Sequence, residues 1–215
     1  MPEIRGYMEN QVKVVNGIEY EVIKLIAKGK GGYTYLVKTD DTEVILKQIH
    51  YEPCDYYCFE ENKLCSELRD YEILYDLGIP MPKLLSYDKE EQLLIKEFLP
   101  GDNLAQLIAD NRLYDNHIAQ LFNMCNILYP KNLNIDYFPT NFIEWQGILY
   151  YVDYECSQYS DEWNFENWGI WFLANQKGMV SFLADGNHAS IIKDGKPIKR
   201  GFEDIVERWL TNRYE

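Results

Sequence analysis

The stretch KGKGGYTYLVK, Lys28–Lys38, sets three glycines among five residues and follows them with an alternating run of Tyr, Leu and Val. Two readings compete for it. The glycines make a flexible hairpin turn, or they let a backbone loop close over phosphates. A dinucleotide-binding fingerprint needs a helix after its glycines, and a Walker loop ends in Gly-Lys-Ser/Thr. YTYLVK is patterned as a strand and GGYTY lacks that ending, so the context is strand, glycines, strand.

Outward from the glycines, YEVIKLIAKG predicts the incoming strand. EVILKQI predicts the partner of YTYLVK across the polar turn TDDT, giving an antiparallel meander. ENKLCSELRDYEILYDLG predicts a helix. Leu64, Glu67, Leu68, Tyr71, Leu74 and Tyr75 share one face at i, i+3, i+4, i+7 spacing, and Gly78 is placed to stop it. KLLSY and QLLIKEF form a hairpin around DKEE. LPGDN, Leu99–Asn103, is the expected hinge, with Asp102 or Asn103 capping the next helix, NLAQLIADNRL. HIAQLFNMCNIL, NWGIWFLANQ and FEDIVERWL are patterned as helices, and FIEW and ILYYVDY as a short hairpin about Gly147. The expected organisation is α+β and bilobal: residues 1–98 form an antiparallel sheet with one helix, residues 99–215 a mostly helical part. A junction of that kind favours a ligand cleft.

Composition narrows the class. An apolar content of 47% in 215 residues is enough for a buried core. The net charge of −14 opposes nonspecific binding to nucleic acid or an anionic membrane, since phosphate contacts need clustered Lys and Arg. Cys54, Cys58, Cys65, Cys125 and Cys156 are odd in number and contain no CxxC pair, so neither a disulfide framework nor a zinc pattern is present. Reduced thiols in the cytoplasm are the expectation. MPEIRGYMEN has no apolar core of a signal peptide, and no run approaches a membrane span.

Further positions carry chemistry. In VILK, Ile45 and Lys47 face the same way, so an apolar side chain that can cover an adenine lies beside an ammonium that can reach phosphates. Such a lysine needs a counter-charge. Glu67 borders the apolar stripe of the helix, with Glu72 as the competitor on its flank. In NIDYFPTNFI, Asp136 and Asn141 straddle Pro139, an arrangement that sets a carboxylate near a hydroxyl nucleophile and an amide oxygen on a metal. Asp153 ends the apolar strand ILYYVDY, and a strand-end carboxylate suits Mg²⁺.

The order Gly29-x-Gly31-x-x-Thr34, Lys47, Glu67, KEFLPG, Asp136-x-x-x-x-Asn141 and Asp153 resembles the protein-kinase-like superfamily over nearly the whole chain, from about Glu21 to about Leu173. ELRDYEILYDLGIPMPKLL and VDYE are similar to the aminoglycoside phosphotransferase and choline kinase branch, while the short chain is more similar to compact atypical Ser/Thr kinases of the Rio and Bud type. The resemblance implies ATP and Mg²⁺ as cofactors. It implies phosphate contacts from the glycine loop (Gly29, Gly31, Gly32, Thr34), with Lys47 on the α/β-phosphates and paired with Glu67. Leu36 and Ile45 would cover the ring, and the backbone of Glu97 and Leu99 would hold the adenine edge. Asp136 would orient the acceptor hydroxyl and take its proton, and Asn141 and Asp153 would hold the metal.

The chain also departs from that pattern. Asn134-Ile135 replaces His-Arg before the catalytic Asp, Phe138 replaces a phosphate-contacting Lys, Glu155 replaces the Gly of Asp-Phe-Gly, and no Ala-Pro-Glu follows. Three functions therefore stand at this level. They are a protein kinase acting on a hydroxyl-bearing protein, a small-molecule kinase, and a catalytically weak kinase-like binding module. WNFENWGIWF is expected as core aromatic packing, because Trp168, Trp171 and Phe172 share helical spacing. Lys193, Lys196, Lys199 and Arg200 form the main basic cluster, either a docking site or a solvated loop.

Overall fold

Alternating apolar residues in the first part of the chain build a six-stranded antiparallel sheet. We describe it from a computed structural model that covers residues 11–29, 31–40, 42–53 and 62–214. The readings made above on residues 1–10, on Cys54 and Cys58, and on Asp41 of the TDDT turn fall outside the described residues. The strands are β1 (Val12–Val15), β2 (Ile18–Lys28), β3 (Gly32–Thr39), β4 (Thr42–Ile49), β5 (Leu84–Asp88) and β6 (Leu93–Glu97), in the order β1-β2-β3-β4-β6-β5. The expected meander and the β5–β6 hairpin are both present. The sequence reading missed β1, although Asn16-Gly17 closes it onto β2 with φ of 51° and 79°. That is the primed turn Asn-Gly favours, and Gln146-Gly147 and Asp194-Gly195 repeat it further along.

Period-two alternation gives the sheet two distinct faces. Val44 and Leu46 point to one side and pack with Val15, Tyr20, Val22, Val37, Leu93 and Ile95. Ile49 and Leu94 point to the other and pack on Leu64 of helix α1 (Lys63–Asp76), with Leu68 and Leu84 at the border. The Asn62 side chain accepts from the Cys65 N–H at 3.2 Å and caps this helix. At its far end Gly78 (φ +78°) and Ile79 donate back to Tyr75 and Leu74.

The helix face differs from the predicted stripe at one end. Leu64, Glu67 and Leu74 are buried and Leu68 and Tyr71 half-buried, but Tyr75 is 57% exposed. The buried line runs Lys63–Glu67–Asp70–Leu74. It is centred one residue earlier than the apolar line because Glu67 is turned squarely onto the sheet. The 68–71–75 flank then rotates progressively outward.

The later part of the chain is helix-rich. Helices α2 (Leu104–Ala109), α3 (Asp115–Leu128), α4 (Ile170–Ala174), α5 (Gln176–Asp185) and α6 (Glu203–Thr211) surround short strand pairs. Strands β7 (Asp102–Asn103), β9 (Phe142–Trp145) and β10 (Ile148–Tyr151) form a three-stranded sheet in the order β10-β9-β7. Strand β8 (Leu133–Asn134) pairs with β11 (Ser157–Gln158), and β12 (Ile192–Lys193) with β13 (Lys196–Pro197). Of the two proposed caps for α2, Asn103 is used, accepting from the Gln106 N–H at 2.8 Å. NWGIWFLANQ is not one helix. Phe165–Gly169 is a π-helical turn, α4 follows, and the Asn175 side chain caps α5 by accepting from the Gly178 N–H.

By contact density the chain divides into two units. One holds the residues up to Tyr71 together with Pro82–Leu99. The other holds Glu72–Met81 and the chain from Pro100 onward. Among the described residues no helix is long and apolar enough to cross a membrane.

The rotated helix face yields a paired test. Leu74→Ala should cost about 2–5 kcal/mol in urea denaturation, whereas Tyr75→Ala should cost less than about 1 kcal/mol. Equal losses would show that the apolar stripe, not the Glu67-centred line, faces the core.

Candidate functional site

The face of the sheet under α1 is read from strand register. Across it run two neighbouring rows: Leu36, Ile45 and Lys96, then Thr34, Lys47 and Leu94. Cross-strand partners project to the same side. The predicted ring-covering pair, Leu36 and Ile45, is therefore directly opposed and buried, at 5% and 8% exposure.

Lys47 meets Glu67 as the sequence predicted. Its Nζ lies 2.7 Å from Glu67 Oε1, with the two side chains 11% and 1% exposed. The competitor Glu72 is exposed. Lys63, one turn earlier on α1, places its Nζ 3.7 Å from the same oxygen, so two ammoniums share one carboxylate. The Lys47 contact is a charge pair rather than an aligned hydrogen bond, and the buried Oε2 has no hydrogen-bond partner among the described residues. At an effective dielectric near 20, a pair about 4 Å apart gains roughly 4 kcal/mol of Coulomb energy before desolvation is charged against it. Gly32 permits this placement. A Cβ there would sit 2.9 Å from Lys47 Cε and 3.2 Å from its Cγ, so the stem of Lys47 lies directly against the glycine.

The glycine turn is closed by backbone bonds. The Gly29 N–H donates to the Gly32 carbonyl at 2.8 Å, and the His50 N–H to the Gly31 carbonyl at 3.0 Å. Beside it Lys28 pairs with Glu52 at 2.7 Å, and Glu52 also accepts from the Tyr33 hydroxyl. These two hydrogen bonds hold the Glu52 carboxyl below its usual range. Thr34 sits within β3, opposite Ala27 and Lys47, and is a strand position rather than a loop position. At the other end of the sheet, the Glu97 N–H donates to the Lys83 carbonyl at 2.9 Å, and its carboxylate accepts from the Lys83 N–H at 3.2 Å. Leu99 is buried.

In the second unit the NIDYFPTN loop is anchored by its neighbours. Asn134, Ile135 and Tyr137 are buried, at 2%, 2% and 1% exposure, while Asp136 is exposed. The Asn134 amide donates to the Trp163 carbonyl at 2.8 Å, which ties the loop to the chain beyond Asp153. Asp136 Oδ1 accepts from the Phe138 N–H at 3.0 Å. The Asn141 Nδ2 donates to the Asp136 carbonyl at 3.2 Å, so its amide oxygen takes no part in that bond. The Val152 N–H bonds to the Asn141 carbonyl, joining this loop to the strand end that carries Asp153.

Sequence reading did not single out Tyr151. Its phenol is fully buried, and it donates to the Glu155 carbonyl at 2.9 Å. Burial first, and then the charges of Asp153, Asp136 and Glu155, push it well above the usual phenol range. The predicted base and the predicted metal ligand thus both bear electrostatically on one buried hydroxyl. The apolar alternation of ILYY was its only sequence signal.

Among the described residues no three His, Cys, Asp or Glu side chains converge as a metal cage. Asn141 and Asp153 would supply two hard oxygen donors of the kind Mg²⁺ takes, with water and phosphate oxygens completing its shell. Phe138 is half-buried, and its ring meets Phe172, Phe182 and His188. Of the aromatic run, Trp168 meets Phe172 edge-on at 5.3 Å, and Trp171 lies under the Lys199 ammonium. Lys193, Lys196 and Arg200 are exposed on and after the β12–β13 hairpin.

No protein-family profile matches the chain, and no curated protein matches it. Among solved structures it is similar to a chain in a CAK complex from Chaetomium thermophilum bound to ATP-gamma-S, with 21% identity and a TM-score of 0.47. That match covers 66% of this chain and 48% of the other, so the chain spans about half the length of the solved chain it matches. At that distance the likeness assigns neither residues nor activity.

Two outcomes follow from the burial of these groups. Glu67→Gln removes the carboxylate shared by two near-buried ammoniums and should lower unfolding stability by about 3 kcal/mol, measured by urea denaturation. A loss under about 1 kcal/mol would mean that the pair is solvated. Cys125 is buried, bonds to the Tyr137 hydroxyl at 3.4 Å, and has its thiol pushed by burial up to about 12. Iodoacetamide at pH 8 should therefore leave it unmodified in native protein while alkylating exposed Cys65, as read by peptide mass mapping.

Proposed function

We propose that this chain is an ATP- and Mg²⁺-dependent phosphotransferase of the protein-kinase-like fold that moves a γ-phosphate to a hydroxyl group. The observation that carries the proposal is the Lys47–Glu67 pair, 2.7 Å apart, with the Lys47 stem against Gly32. A buried acid that holds a lysine beneath a glycine turn has an evident use in presenting that ammonium to phosphate oxygens. In this assignment the glycine turn and Lys47 contact the phosphates, the Leu36–Ile45 surface and the backbone of Glu97 and Leu99 hold the base, Asp136 orients the acceptor hydroxyl, and Asn141 and Asp153 hold Mg²⁺. The metal, when bound, neutralises charge on the phosphates. The protein's own part is positioning and fixed charge.

The lead acceptor class is a protein Ser or Thr hydroxyl. A small alcohol is the second. It is favoured by Val152-Asp153-Tyr154-Glu155, which is similar to the small-molecule kinase branch. The soluble setting expected for either is the cytoplasm.

Calorimetric titration with ATP tests the proposal. Binding in the micromolar range is expected with Mg²⁺, weakened at least about tenfold by Asp153→Asn or by omitting Mg²⁺, and more strongly by Lys47→Met. Phosphate transfer to protein substrates, compared with sugars, aminoglycosides and choline, then separates the acceptor classes. Failure to bind ATP with or without Mg²⁺ would remove the enzyme assignment.

A further inference from the structure

The basic cluster beyond α5 has no part in the chemistry above. Lys193 and Lys196 are cross-strand partners on the β12–β13 hairpin, one on each side of the Asp194-Gly195 turn. Both are exposed, and cross-strand partners project to the same side. Lys199, two residues past β13, sets its ammonium 4.8 Å from the centre of the Trp171 ring. Burial, and then the charge of Lys196, lower its pKa below the ordinary lysine value. Like charges set directly opposite weaken a strand pair. Among the described residues none of these three lysines is ion-paired, and Asp194 in the turn pairs with neither neighbour. Exposed Lys28 and Lys38, by contrast, meet Glu52 and Glu21 at 2.7 and 3.1 Å. Arg200, next along, already faces the Glu203 carboxylate, which backbone N–H groups and then Arg200 hold below its usual range.

We propose that Lys193, Lys196 and Lys199 dock an acidic segment of a partner polypeptide. The repulsion across the hairpin does nothing for the fold, and an incoming pair of carboxylates removes it. The backbone that carries the lysines is held in place: Ile191 and Pro197 are buried, and the Ile198 N–H donates to the Ile191 carbonyl at 3.0 Å. An extended segment sets alternate side chains on one side, about 6–7 Å apart. Acids at such positions are within reach of two opposed, flexible ammoniums. Charge complementarity selects a short segment over nucleic acid or an anionic membrane. The chain carries a net charge of −14 even with these cations counted. A nucleic acid or a lipid surface brings a long run of negative charge against that acidic remainder, whereas a short segment ends where the cluster ends. Docking of this kind needs neither ATP nor Mg²⁺.

The experiment is fluorescence anisotropy of a labelled oligoglutamate peptide titrated with the full chain at low salt, beside a labelled Gly-Ser peptide of equal length. Oligoglutamate should bind wild type at least about tenfold more tightly than the neutral peptide, and added salt should weaken it. Lys196→Glu should weaken binding at least about tenfold. That variant sets opposite charges across the hairpin in place of like ones, so urea denaturation should show it no less stable than wild type. Lys38→Glu makes the same change in net charge elsewhere and should leave affinity within about twofold. No binding of oligoglutamate to wild type overturns the proposal, as does an equal loss in Lys38→Glu, which would make the effect one of net charge. Single-stranded DNA or anionic vesicles bound as tightly, and released by Lys196→Glu, overturn it in favour of those partners. Self-association of the chain that Lys196→Glu abolishes would give the cluster to a second copy and overturns it too.

Discussion

A carboxylate almost wholly removed from water cannot stand alone, and Glu67 does not. The ammonium 2.7 Å away on β4 decides how helix α1 lies on the sheet. It rotates the helix until Glu67, rather than the apolar stripe beside it, is centred on the buried face. It draws Lys63 into the same cluster and turns Tyr75 into solvent. It also demands that position 32 carry no side chain, because the Lys47 stem occupies that space. One ion pair thus links a helix orientation, a glycine and a lysine that lie far apart in the chain.

The second unit achieves a related end by different means. Asp136 is presented by burying the residues on either side of it, Ile135 and Tyr137, while Asn134 fastens the loop to the Trp163 carbonyl. Burial first, and then the charges of Asp153, Asp136 and Glu155, hold the Tyr151 phenol in its protonated form. A neutral donor fixes polarity there without adding charge.

The alternating strands, the ends of α1, the cap at Asn103 and the Lys47–Glu67 pairing were legible in the sequence because each is local or follows period-two and period-3.6 geometry. The β1–β2 hairpin is marked equally well, by Asn16-Gly17 between Val15 and Ile18. Other features were not legible. The break of NWGIWFLANQ into a π-helical turn and two helices depends on Asn175 preferring to cap α5 over continuing α4, a competition settled by packing. The role of Tyr151 depends on what surrounds it in space, and an alternating strand pattern is silent on that.

The strand order carries a kinetic meaning. Strands β1 to β4 pair each with the next through short turns, so most of the sheet can assemble from neighbours in sequence. Strand β6, however, joins at β4 only after the chain has travelled through α1 and back along β5. That single long-range closure bears most of the loop entropy of the sheet. Lys47 and Glu67 lie on β4 and on the excursion itself, so their attraction shortens the loop before β6 arrives. The contact that orients the helix in the finished protein thus also spans part of the excursion that β6 must close.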